Sequence, residues 1–150
     1  SGNFDGNGQY TVAASSRSSL AWQAFGSEFG YSAWRSDQVY NATTGVYTGS
    51  ASIGGYSGEY LTIQMPQSIK LKRIDTRYNF YTQTIHVLGS NDGVSWNLVY
   101  TIERITTSNE TFFSNATTAY SQYAFVSEKL TAPNGSGYTN LGLVLFYYVQ

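Results

Sequence analysis

Arg77-Tyr78-Asn79-Phe80-Tyr81-Thr82 places a guanidinium, a primary amide, three aromatic rings and a hydroxyl within six residues. A flat apolar ring beside planar hydrogen-bonding groups suits a ligand with an apolar C–H face and a rim of hydroxyls, such as a sugar. Phe29 and Tyr31, between Trp22 and Trp34, and Tyr138, after a Gly-rich turn, are further aromatics outside any strand pattern. Other chemistry is thinly represented. His86 is the single histidine, and alternation puts it on the outer face of a strand, where an exposed ring is the expectation. No Ser-His-Asp spacing accompanies it, and there is no cysteine for a nucleophile, a thiolate metal site or a disulfide. Glycosidases need only two carboxylates, and the chain has nine acids, yet none sits in a motif that argues for hydrolysis. Ile53-Gly54-Gly55-Tyr56 lacks the Lys and the following helix of a phosphate loop. The expectation is a non-catalytic protein.

Composition limits what must position these residues. The 150 residues amount to one domain, with 14 Tyr, 8 Phe and 3 Trp making 17% of the chain and charged residues only 11%. So much apolar area excludes disorder, and a net charge of −1 offers no basic excess for nucleic acid. No apolar run is long enough to span a membrane, and the basic residues are scattered, which disfavours anionic lipid surfaces. Residues 1–8 read as a lead-in linker and 9–150 as the domain, cut from a longer extracellular or particle-surface protein. Sequons begin at Asn41, Asn109, Asn115 and Asn134, close to chance frequency, so they say little about glycosylation.

Strand signals run through most of the chain. Gln9–Ala14 is β-prone, whereas 20–56 shows no sustained period and reads as ordered loops over a sheet rather than helices. Leu61, Ile63 and Met65 alternate with polar partners until Pro66 ends the run, and Ile69 and Leu71 alternate with Lys70 and Lys72. Thr84–Leu88, Trp96–Glu103, Tyr123–Lys129 and Leu141–Val149 are further strands. Asp92-Gly93 suits a tight hairpin, and Asn134–Gly137 a turn. Trp22, Phe25, Trp34, Trp96, Tyr123 and Phe125 are assigned to the core. The fold class is all-β, a sandwich or jelly roll.

Several segments in order resemble the discoidin family, the coagulation-factor C-type or galactose-binding-like domain. They are Tyr10–Ser16, Ala21-Trp22-Gln23-Ala24-Phe25 followed by Trp34-Arg35-Ser36, Gly58–Pro66 and Gly89-Ser90-Asn91-Asp92-Gly93-Val94-Ser95-Trp96. The spacer Tyr40–Gly49 also looks like versions in virion proteins of large algal viruses and in phage tail proteins. The resemblance implies a jelly-roll β-sandwich of about eight main antiparallel strands, with the binding loops gathered at one end. It makes Phe29, Tyr31, Arg77, Tyr78, Asn79, Phe80, Tyr81 and Tyr138 the ligand-binding candidates of a lectin-like module whose partners are glycans or glycoproteins. The alternative is a structural module docking other subunits of a virion capsid or tail. Carbohydrate-binding relatives carry an Asp after the Ala-Phe pair and a Glu in the last strand, which with loop carbonyls hold a structural calcium. Gly26 and the carboxylate-free Leu141–Phe146 stand in those places, with Glu28 a single acid nearby, so neither calcium nor any other cofactor is expected.

Overall fold

The computed structural model describes residues 2–3, 8–25, 33–77, 81–103, 110–133 and 136–149. In chain order the strands are β1 (Gly2–Asn3), β2 (Gln9–Ala14), β3 (Trp34–Arg35), β4 (Ser52–Ile53), β5 (Tyr56–Ser57), β6 (Glu59–Arg77), β7 (Thr82–Ser90), β8 (Asn97–Glu103), β9 (Glu110–Phe113), β10 (Tyr120–Leu130) and β11 (Asn140–Val149). One 3-10 helix spans Ser18–Phe25.

β6 organises the sandwich because it belongs to both layers. Its residues 61–64 pair with β2 and its residues 59–64 with β10, within the layer β1-β2-β6-β10-β7-β8. Beyond Ile69 the same strand pairs with β11 on one side and β9 on the other, and β3 adds to β11. All these pairings are antiparallel. The crossover is at Pro66. The expectation that this proline ends the strand is corrected: Gln64 pairs with Gln122 and Ile69 with Tyr120, so residues 65–68 face Ser121 alone. A proline has no N–H for a ladder, and this irregularity is where one can sit within a long strand. β6 therefore supplies a strand to each sheet of the β-sandwich.

The core lies between the layers. Leu61, Ile63, Ile85, Val87, Ile102, Tyr123 and Phe125 meet Ile69, Leu71, Ile74, Leu141 and Leu143, all nearly or wholly buried. Each such side chain contributes roughly 1.5–3 kcal/mol of burial. Tyr123 keeps its hydroxyl satisfied by donating to the Ile69 carbonyl at 2.8 Å. Burial pushes its pKa up to about 12 from 10.0, and the still more buried Tyr40 is raised further. Because the folded state holds these protons more tightly than the unfolded chain, stability is level below the unfolded tyrosine pKa and falls as pH rises above it. Urea midpoints followed from neutral to strongly alkaline pH are expected to drop above pH about 10, and less steeply in Tyr123→Phe.

Four expectations are revised, one about helix and three about aromatic or polar residues. The segment 20–56 is not free of helix. In the 3-10 helix, Ala21 and Ala24 repeat every three residues and point inward at 0% and 2% exposure, as a threefold repeat requires. Trp22 is thereby rotated outward and is 55% exposed, so it is not a core residue. Trp96 is half-buried on the outer face of the first layer with Ile53, Tyr56 and Tyr60, over Leu88, Ala124 and Val126. His86 does alternate outward, but that face is covered and the ring is only 9% exposed. The ring lies 4.3 Å from that of Tyr56, while Nε2 meets Glu128 at 2.6 Å and Nδ1 meets Thr101 at 3.1 Å. The hairpin β4–β5, invisible to alternation counted along β7, is what buries it.

The remaining strand boundaries fall close to expectation. Residues 91–96 form a longer connection than a tight Asp-Gly turn. Gly93 has φ +75°, and the Asp92 carboxylate accepts the N–H groups of Val94 and Ser95 at 2.8 and 2.7 Å. Those donors hold its pKa well below the usual carboxylate range. β9 carries no strong sequence signal and pairs along residues 73–76 of β6. Gly2 and Asn3 pair with Tyr10 and Gln9. No helix among the described residues is long and apolar enough to cross a membrane.

Candidate functional site

Three described elements meet at one end of the sandwich. Tyr81 immediately precedes β7, Tyr138 lies two residues before β11, and Arg35 ends β3. β3 is held in register by β11, with Arg35 opposite Asn140 and Trp34 opposite Leu141. The wholly buried Trp34 donates its indole N–H to the Ser16 carbonyl at 3.1 Å, so the residue following it is fixed to the edge of the second layer.

The rings of Tyr81 and Tyr138 pack edge-to-face, with centroids 5.9 Å apart at 82°. The Arg35 guanidinium carbon lies 4.4 Å from the Tyr138 ring centroid. The Arg35 Nε–H donates to Asn140 Oδ1 at 3.4 Å. Both tyrosines are half-buried and Arg35 is exposed. The site therefore combines aromatic surface, a cation and an amide, each on or beside a paired strand.

A buried chain of hydroxyls forms its floor. Ser127, Thr139 and Thr82 are at most 1% exposed. Ser127 Oγ donates to Thr139 Oγ1 at 2.9 Å, the Thr139 and Thr82 hydroxyls are bonded, and Thr82 Oγ1 reaches the Asn140 carbonyl at 3.2 Å. Since each hydroxyl has one proton, the chain runs in one direction, from Ser127 through Thr139 and Thr82 to Asn140. Ser36 adds two bonds to Thr139, donating its N–H to the Thr139 carbonyl at 3.0 Å and accepting the Thr139 N–H at 3.1 Å. The Thr131 N–H donates to the Tyr81 carbonyl at 2.6 Å. Backbone on both sides of the two tyrosines is thus tied to strands of both layers.

Glu59 shows a different use of a polar side chain. It is 4% exposed and accepts the hydroxyls of Ser15 at 2.9 Å, Ser16, and Tyr47 at 3.2 Å. Its own N–H donates to the Tyr40 hydroxyl at 3.0 Å. This carboxylate stitches the segments 15–16 and 40–47 to the start of β6.

Of the candidates named from sequence, Tyr81 and Tyr138 are brought together. Phe29, Tyr31, Tyr78, Asn79 and Phe80 lie outside the described residues, as do Gly26, Glu28 and the side chain of Arg77. Arg35 and Asn140 were not singled out from sequence. Arg35 sits inside the Trp34-Arg35-Ser36 motif, where the neighbouring tryptophan dominates the reading, and a guanidinium directly after a buried tryptophan in a two-residue edge strand was the available signal. Asn140 is recognisable only once β11 is known to begin there. Among the described residues no group of three His, Asp or Glu side chains gathers as a metal site. β11 carries no carboxylate.

No family model matches the sequence, and neither does any curated protein. Solved structures do match. Chitosan-binding module 1 of a Paenibacillus sp. IK-5 chitosanase/glucanase aligns at 17% identity and a TM-score of 0.63, over 91% of this chain and 93% of that one. The family 32 carbohydrate-binding module of Clostridium perfringens NanJ, solved with galactose, aligns at 14% identity and a TM-score of 0.61, over 93% of each chain. A family 89 glycoside hydrolase from Clostridium perfringens aligns at 12% identity and a TM-score of 0.65, over 96% of this chain but only 14% of that one. Against that enzyme the chain spans a small part of the length. With β6 serving both layers, the chain has the galactose-binding-like, discoidin-type β-sandwich fold of these carbohydrate-binding modules.

Proposed function

We propose that this domain is a non-catalytic carbohydrate-binding module of a larger secreted or surface-displayed protein. It would bind glycans at the end of the sandwich that carries Tyr81, Tyr138, Arg35 and Asn140. The observation that carries the reading is the edge-to-face tyrosine pair with Arg35 stacked on Tyr138 and bonded to Asn140. That arrangement offers apolar ring surface beside directional donors and acceptors, the two things a pyranose needs. Three of the loops that the resemblance assigns to the binding end, around Phe29 and Tyr31, Tyr78–Tyr81 and Tyr138, flank these residues in sequence.

Several described carboxylates have structural partners, which favours binding over hydrolysis. Asp37 pairs with Arg17 at 3.0 Å and Asp75 with Arg73 at 3.2 Å, Asp92 caps its own loop, Glu128 meets His86, and Glu59 collects hydroxyls. A shallow site of this kind supports a millimolar dissociation constant, about −4.1 kcal/mol. Several copies on one particle would raise it by about 10²–10⁴ through avidity.

The test is NMR titration of the isotope-labelled domain with a panel of oligosaccharides, in parallel with a glycan array probed by a multivalent display. Sugar-dependent shifts should centre on Tyr81, Tyr138 and Asn140. Tyr81→Ala combined with Tyr138→Ala should weaken binding at least about tenfold, the scale of one aromatic stacking contact. An array without hits and spectra unmoved by every sugar would remove the reading.

A further inference from the structure

We propose that the tyrosine end of the sandwich selects acidic glycans, with Arg35 receiving the carboxylate of a uronate residue beside Tyr81 and Tyr138. The inference rests on the glycan reading above and adds the charge class of the ligand. It begins from how little of Arg35 is committed. The guanidinium carbon sits over the Tyr138 ring, 4.4 Å from its centroid, and one N–H, on Nε, is directed to Asn140 Oδ1 at 3.4 Å. Among the described residues neither terminal nitrogen of Arg35 has a hydrogen-bond partner. No carboxylate pairs with it either: the ion pairs there are Arg17–Asp37, Arg73–Asp75 and His86–Glu128. Asp37, the acid two residues along the chain, is held by Arg17 at 3.0 Å instead of by Arg35.

What remains is the end-on edge of the guanidinium, whose two terminal N–H bonds run parallel to each other, on a side chain that is exposed. That edge matches the two oxygens of a carboxylate and is a poor match for a single hydroxyl. The side chain is also oriented before any ligand arrives. The contact with Tyr138 and the Asn140 bond restrain the guanidinium, and the β3–β11 pairing holds the backbone. An arginine held in this way loses little conformational entropy on binding, which is where long cationic side chains usually forfeit their electrostatic gain. A uronate differs from its neutral parent only at C6, so a ring resting against the tyrosines with its carboxylate on Arg35 is discriminated by the charge and paired oxygens of that one group. A glucosamine, which brings a positive charge to a site that already holds a cation, is disfavoured.

Matched pairs of trisaccharides provide the experiment: galacturonate against galactose, glucuronate against glucose, mannuronate against mannose, with a glucosamine trimer added. Affinities are read by NMR titration and calorimetry at low and high salt. In at least one pair the acidic member should bind about fivefold more tightly at low salt, the size an exposed charge pair supports. That ratio should shrink at high salt and fall to about one in Arg35→Gln, while Arg35→Lys retains part of it. Equal affinities within every pair, tighter binding of the glucosamine trimer, or an acid-to-neutral ratio unchanged in Arg35→Gln would overturn acid selectivity and leave the glycan reading intact. Binding of no trimer at all would overturn both. Unchanged amide spectra away from residue 35 establish that each variant is folded.

Discussion

Trp34→Ala is expected to lower the free energy of unfolding by about 3–5 kcal/mol, the cost of removing a large buried aromatic. The indole is wholly buried among Ala21, Ala24, Leu141 and their neighbours in the central core. Its N–H bonds the Ser16 carbonyl, which would lose that donor in the variant. The consequence reaches the site, because Arg35 is the next residue and β3 consists of these two positions. With its core anchor gone, β3 keeps only its pairing to Asn140 and Leu141. Chemical denaturation should therefore show the large loss of stability. NMR of the still-folded fraction should show the Arg35 side chain and the Asn140 amide averaging over several conformations. A stability loss below about 1 kcal/mol, the range of an ordinary substitution, would mean that the indole is not the anchor described.

Gly45→Ala is the second substitution with a large expected effect, although it adds a single methyl group. Gly45 has φ +73°, in the left-handed region that side chains disfavour, and a Cβ there would lie 2.0 Å from the Leu130 carbonyl oxygen. The obstacle is backbone that cannot rotate away. Gly45 also accepts the Leu130 N–H at 3.0 Å, so the two segments cannot separate without losing a bond. Strain of about 1–3 kcal/mol from the backbone, added to a similar overpacking cost, gives roughly 2–6 kcal/mol. Leu130 is followed by Thr131, whose N–H holds the Tyr81 carbonyl, and the distortion should pass to the tyrosine pair. Thermal unfolding measures the first effect, and chemical shifts of the Tyr81 ring measure the second. Shifts confined to residues 41–46 would break the link to the site.

Much of the sandwich was legible in the sequence where alternation has a physical cause. A strand with one buried face must repeat every two residues, and Leu61, Ile63, Ile69, Leu71, Ile85, Val87, Tyr123 and Phe125 are all buried as that repeat requires. Alternation assigns a residue to a face and is silent about what covers the face. His86 was placed on the correct side of β7 and given the wrong environment, because the hairpin that shields it comes from residues 52–57, far away in sequence. Pro66 misleads for a related reason: a missing N–H forbids a ladder bond at one position, yet the strand continues when its partner also leaves off there. Trp22 reads as core from its type, but its place in a threefold helix turns it outward.

By itself, the sequence determined the fold class, the non-polar inner faces and the presence of more aromatic rings than those faces consume. These depend on residue type and short-range spacing, both written along the chain. It also marked Tyr81 and Tyr138 as aromatics outside the regular strands, which they are. Only the tertiary structure decided which of them meet, and what stands beside them. Tyr81 and Tyr138 are 57 positions apart and touch because the Ser127–Thr139–Thr82 hydroxyl chain draws β7, β10 and the approach to β11 together. Arg35, about a hundred positions from Tyr138, arrives through a two-residue strand whose register is set by β11. Contacts at such separations follow from strand pairing and sheet crossover, so a guanidinium that looks ordinary in sequence comes to lie over Tyr138 in the candidate site.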